Sequence, residues 1–350
     1  MYNAVRTVAE KYGFKKVFFT RPMRFDKCGE GFGLVYDAVK KYPFAKTILL
    51  FVYPYKPFSV EERIPSYYLA SNRAYFALKE TAKELSQMGF RAEIAEIPLK
   101  LQAVEAGVGV KCRNSLIAFE GFGTRVVLSA LALDKLEPID HKGKKTEANS
   151  CGQCQRCMKA CPANAIDETG LCVEKCMRFH METAMHPDWV REIQRTYIGC
   201  EVCQYACTKN TGLMGEAPSE EVREAFSTKK LIAGDTKAAR LLTGKNMTSR
   251  GKLTAEAIAF AANDDGYWEE IELAERSSEQ NLQFEAVRDA IRYAKERKKF
   301  HENKKKQNYC DNCRGDGFRR SGSVYCKESE GQGVAAGNCN HLADRSADAE

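Results

Sequence analysis

The chain has 350 residues, 44% of them hydrophobic, and a formal net charge of +7. At roughly 150 residues per domain, it is long enough for about two domains with real cores. No stretch approaches the ~18 apolar residues needed to span a bilayer. Met1 to Lys15 lacks the apolar centre of a secretory signal. A cytoplasmic protein with no membrane partner is therefore expected. The outlier is cysteine, at 15 residues. A chain this long folds without disulfides, and an odd count suits a fully paired framework poorly. Thiolates acting as metal ligands in a reducing compartment are the better expectation.

Residues 1–145 read as α/β. Lys16 to Thr20 and Thr47 to Tyr53 are short β-rich runs. Tyr67 to Met88 carries apolar side chains (Tyr68, Tyr75, Leu78, Ala82, Leu85) at three-, four- and seven-residue offsets. That spacing predicts a helix, and Gly89 sits where it would stop. Arg91 to Ile97 reads as a strand ending at Pro98. A short helix over Leu99 to Ala106 then runs into a glycine-rich turn, and Arg125 to Leu133 is a further apolar strand. Residues 146–215 hold nine of the 15 cysteines, and periodicity is weak there. Residues 216–300 are helix-rich in composition. Residues 301–350 form a Gly-, Ser- and charge-rich tail with the last four cysteines.

Cys151-x2-Cys154-x2-Cys157-x3-Cys161-Pro162 has the spacing of ferredoxin-type [4Fe–4S] ligation. Three thiolates in a tight loop wrap one cubane, and the fourth, ahead of proline, reaches a second. Such a motif demands a partner, and Cys200-x2-Cys203-x3-Cys207 supplies it. Cluster one takes Cys151, Cys154, Cys157 and the crossing Cys207. Cluster two takes Cys200, Cys203, the crossing Cys161 and one of Cys172 or Cys176. Zinc, the competing metal, usually takes two CxxC pairs instead.

The motif order resembles the epoxyqueuosine reductase family and, more distantly, the corrinoid reductive dehalogenases. The likeness rests on PLKLQAVEAGVGVKCRNSLI (Pro98 to Ile117), Phe122-Gly123 with the strand after it, CGQCQRCMKACPANAI, EKCMRFHMETA, IGCEVCQYAC and a helical stretch ending AIAFAANDDG. It implies a nitroreductase-like, cobalamin-binding α/β domain, a ferredoxin-like two-cluster module and a helical C-terminal region. It selects Cys176 as the last ligand of cluster two. It further implies cobalamin held near Gly107, Gly109, Arg113, Asn114 and Gly123, electrons from a flavodoxin or ferredoxin, and tRNA epoxyqueuosine or another small molecule as substrate.

The chain departs from the family pattern at several points. Cys112 and Arg113 stand where the family has glycine and lysine. Ala95 occupies the position of the family's acidic proton donor, so Glu96, Tyr68 or Tyr75 becomes the candidate donor, with Glu96 expected to point to the opposite strand face. A ferredoxin-type electron carrier without cobalamin is the alternative these departures favour. An RNA-binding accessory factor using the basic run RYAKERKKFHENKKK is a further one, against a plain solvated helix end. Cys310, Cys313, Cys326 and Cys339 have the spacing of a loose zinc site, or are free tail thiols. His180 and His186, between the cluster motifs, read as structural. Cys28, Cys112 and Cys172 have no assigned role.

Overall fold

The computed structural model describes residues 2–26, 35–64, 66–136, 138–140, 150–183, 185–213, 215–264, 266–277 and 282–315, with side chains to residue 304. Residues Met1–Lys298 form one unit and Lys299–Glu350 another. The segments expected at 1–145, 146–215 and 216–300 thus share one body. Cys28, Cys326 and Cys339 lie outside the described residues, and Cys310 and Cys313 outside the described side chains.

The N-terminal part is built on a four-stranded sheet. In chain order its described elements are α1 (Tyr2–Lys11), β1 (Lys16–Thr20), β2 (Arg24–Phe25), β3 (Tyr36–Asp37), α2 (Ala38–Lys41), β4 (Thr47–Pro54), α3 (Ser66–Gln87), β5 (Ala92–Ile94), α4 (Leu99–Glu105), β6 (Val110–Lys111), β7 (Ile117–Ala118) and β8 (Val126–Leu133). The sheet order is β1-β4-β8-β5 and every neighbouring pair is antiparallel. The mixed α/β content expected for this part is present, on an antiparallel sheet. The physical reason is one inserted strand. The β4–α3–β5 crossover leaves β4 and β5 running the same way, and β8 fills the gap between them in the opposite direction.

Strand β4 is buried on both faces, and its alternation divides two cores. Leu49 and Phe51 pack with Val5, Phe14, Leu78 and Leu85 of the helical side. Leu50 and Val52 pack with Ala103, Ile117 and Phe119 on the other. Helix α3 buries Leu69, Ala70, Ala74, Leu78, Thr81 and Leu85, a helical stripe. It ends at Gly89, whose φ of +85° only glycine takes cheaply.

Short helices then carry the cluster motifs: α5 (Arg156–Ala160), α6 (Met177–His180), α7 (Asp188–Glu192) and α8 (Val202–Tyr205). Beyond them come α9 (Glu220–Ala225), α10 (Thr228–Ile232), α11 (Lys237–Thr243), α12 (Lys252–Ala261), α13 (Trp268–Ser277) and α14 (Glu285–Gly315). Helix α12 is buried along its whole length. Its core continues into Ile64, Tyr68 and Leu69 at the start of α3. That shared core fixes Tyr68 between the sheet domain and the helical region. Among the described residues, no helix is long and apolar enough to cross a membrane.

Candidate metal centre and adjoining cleft

The cysteines gather in two neighbouring sets. Cys157 stands within electrostatic reach of Cys151, Cys207 and Cys154, and Cys207 within reach of Cys151 and Cys154. Cys151, Cys154, Cys157 and Cys207 line one cavity of about 60 Å³. Cys200 neighbours Cys176 and Cys161, and Cys203 neighbours Cys200 and Cys176. Each set contains the crossing cysteine that the spacing assigns to it. Cys176 stands beside both Cys200 and Cys203. Cys203 also neighbours Cys157, so the sets adjoin.

Burial, ahead of every other cause, pushes the Cys200 and Cys203 thiols up to about 12. It raises Cys157 and Cys207 as well. Four thiolates crowded in a low-polarity setting are unstable without positive charge between them, and a metal centre supplies it. Donors are already in place around the sulfurs. The Arg113 N–H donates to Cys151 Sγ at 3.3 Å and the Ala165 N–H to Cys161 Sγ at 3.3 Å. The Arg156 backbone N–H holds Cys154 below the usual thiol range. Asn114 Nδ2 is buried without a full protein partner and leans towards Cys203. This donor set fits two [4Fe–4S] clusters.

The residues linked to cobalamin by resemblance serve the protein instead. Arg113 donates to Cys154 O at 2.6 Å and Gly152 O at 3.0 Å, clamping the first cluster loop. Asn114 faces Cys203. A Cβ on Gly109 would meet Ile117 Cγ2 at 2.4 Å, and one on Gly123 would meet Lys209 O at 2.3 Å. Gly107, at φ +68°, closes helix α4. Each of these five positions thus has a structural task within the protein. Glu96 also stands apart: its side chain is 79% exposed and ion-paired with Lys41 at 3.2 Å. Strand β5 ends at Ile94, short of the expected Ile97; just past it Ala95 packs in an apolar core while Glu96 faces solvent.

A different group of side chains faces cluster two. Tyr68 is buried, its hydroxyl has no partner among the described residues, and burial pushes its pKa up to about 12. The Arg178 guanidinium lies 5.7 Å from its ring centroid. Lys100 is exposed at the surface beside Arg178, Cys176 and Cys203, and desolvation first, then Arg178, lowers its pKa. Lys252 is 2% exposed with an unpartnered Nζ, close to Glu256, Glu182 and Arg178. The buried, unpartnered Tyr68 hydroxyl and Lys252 ammonium suit a ligand that carries a phosphate, the nucleotide tail of cobalamin or a nucleic-acid backbone alike. Sequence reading pointed to Tyr68 but missed Lys100, Arg178 and Lys252. Only the position of Arg178, two residues after Cys176, could have hinted at them.

His180 and His186 are engaged elsewhere. His180 Nε2 lies 2.7 Å from Glu174 O, and His186 Nε2 lies 2.8 Å from Glu256 Oε1 in a buried pair. Tyr75 is half exposed. Beneath cluster two, Arg125 and Glu201 form a buried ion pair at 3.0 Å, and Tyr55 Oη donates to Glu201 at 2.9 Å. This joins β8 to the segment between Cys200 and Cys203.

Residues 150–210 match the 4Fe-4S double cluster binding domain. The chain is 30% identical over 139 residues to an epoxyqueuosine reductase of Cyclobacterium marinum, covering 38% of this chain and 44% of that protein. The matched stretches span from 31% to 44% of the length of three such curated relatives. The structure of epoxyqueuosine reductase from Streptococcus thermophilus superposes with a TM-score of 0.63 at 20% identity, covering 84% of this chain and 89% of that one. That from Bacillus subtilis gives 0.60 at 18% identity, covering 83% and 98%. In sequence over part of its length, and in fold over most of it, the chain is similar to the epoxyqueuosine reductases.

Proposed function

We propose that this protein is a cytoplasmic iron–sulfur oxidoreductase that reduces epoxyqueuosine in tRNA. The observation that carries the reading is the proximity of three features. Two cysteine sets adjoin, Lys100 and Arg178 lie near the second, and the unpartnered Tyr68 hydroxyl is close to Arg178. An epoxyqueuosine-modified tRNA stem loop is present in one solved epoxyqueuosine reductase structure of this fold. When bound, the clusters supply single-electron relay and cobalamin supplies a strongly reducing cobalt.

The chain's own residues divide the remaining tasks. Tyr68, Lys100, Arg178 and Lys252 would hold cobalamin and the anionic backbone of the substrate. Tyr68 Oη, rather than Glu96, stands where a proton can be delivered. Near cluster one, Arg156 and Lys159 line a surface cavity of about 420 Å³ that reaches Cys207. Their charge suits docking of an acidic flavodoxin or ferredoxin.

The test is anaerobic turnover of an epoxyqueuosine-bearing stem loop by protein loaded with clusters and cobalamin. Tyr68→Phe should lose at least about 100-fold in rate with iron content unchanged, and Glu96→Gln should keep the full rate. Failure of the loaded wild type to convert the stem loop would overturn the reading. Loaded protein that retains no corrinoid through gel filtration would favour the plain electron carrier.

A further inference from the structure

The cavity of cluster one is lined by five thiols, not four. Cys112 lies on it beside Cys151, Cys154, Cys157 and Cys207. Its side chain is 3% exposed, and it shares the cavity wall with Cys151, with which it interacts. Its other polar neighbour is Val110 O, at a long 3.8 Å. Cys207 is also within its electrostatic reach.

The backbone holds this thiol in place. Cys112 sits at the tip of the β6–β7 hairpin, with its N–H donating to Leu116 O at 2.8 Å and its carbonyl accepting from Ser115 at 2.9 Å. The next residue, Arg113, is tied to the cluster loop through three backbone-directed contacts: its N–H to Cys151 Sγ, and its guanidinium to Cys154 O and Gly152 O. Hairpin and cluster loop therefore move as one piece. A thiol so fixed, buried and adjacent to a ligand sulfur is a poor solvent nucleophile but a well-placed metal ligand.

We propose that Cys112 is a reserve ligand of cluster one, able to take the place of Cys151. The inference rests on the two-cluster reading of the site. The exchange balances without any redox partner. With a cluster bound, Cys112 would serve as the fourth thiolate in place of Cys151, and the proton that its thiol gives up would go to the released Cys151 sulfur. The cluster keeps four thiolate ligands and its oxidation state throughout. Such a swap lets cluster one survive damage to its most N-terminal ligand.

The test is iron and sulfide content, with electron paramagnetic resonance of the reduced protein, on anaerobically purified variants. Wild type should hold about eight irons per chain. Fewer in the wild type would break the two-cluster reading itself, and so is distinguishable from failure of the reserve ligand. Cys112→Ser and Cys151→Ser should each keep about eight, the latter with a shifted resonance from cluster one. Cys112→Ser/Cys151→Ser should fall to about four, with cluster two's signal showing that the chain is folded. Cys154→Ser should also fall to about four, because Cys112 interacts with Cys151 and Cys207 and not with Cys154. The proposal is overturned if Cys151→Ser alone drops to about four or is insoluble, or if the double variant keeps about eight.

Discussion

Lys252 shows what a single buried group implies. Its ammonium is nearly inaccessible and has no partner among the described residues. Burial, the largest influence, pulls its pKa below the ordinary lysine value, while Glu256 and Glu182 oppose the shift. The unfolded chain therefore binds this proton more tightly than the folded one. The destabilisation is fully present below the folded pKa and fades as pH rises towards the ordinary value. Lys252→Met should thus be more stable than wild type by about 2 kcal/mol near neutral pH, with the gap closing at alkaline pH. Urea melts at two pH values check this, and a less stable variant would show that the ammonium serves the fold. Such a cost is what the proposed ligand role of Lys252 would offset. The same variant should weaken retention of an anionic ligand.

The loop after α4 makes a comparable point at the scale of elements. Its glycines read in sequence as a cofactor cradle, yet the structure folds them into a hairpin and a tight seam. Gly123 has φ +55°, and Thr124 behind it donates its N–H to Asn210 Oδ1 at 2.7 Å. The seam joins the sheet domain to the turn after Cys207. Gly123→Ala should cost about 1–3 kcal/mol through overpacking and a strained φ, and should speed loss of cluster one under chelator. Thermal melts and the rate of bleaching measure both effects; an unaltered bleaching rate would show that the seam does not hold Cys207 in place.

Sequence signals served best where they are local. Strands such as Lys16–Thr20 and Val126–Leu133, helix Ser66–Gln87 and the crossing cysteine pattern follow from periodicity and spacing. Sheet direction did not, because inserting β8 between β4 and β5 is a long-range choice. Nor did the cationic group near cluster two, since Lys100, Arg178 and Lys252 come from three distant segments and read singly as surface cations.

At the scale of the whole molecule, residues Met1–Lys298 form one body in which the cluster segment has little apolar core of its own. Met177, Met181 and Val190 make its small buried cluster. Metal ligation must therefore supply most of its cross-links, and the buried Arg125–Glu201 pair ties it to the sheet. The central claim, that eight cysteines in two crossed sets hold two cubanes, is tested most directly by iron and acid-labile sulfide analysis of the anaerobically purified chain. The account predicts about eight of each per chain. Zinc in place of iron, or about four irons with all eight cysteines intact, would contradict it.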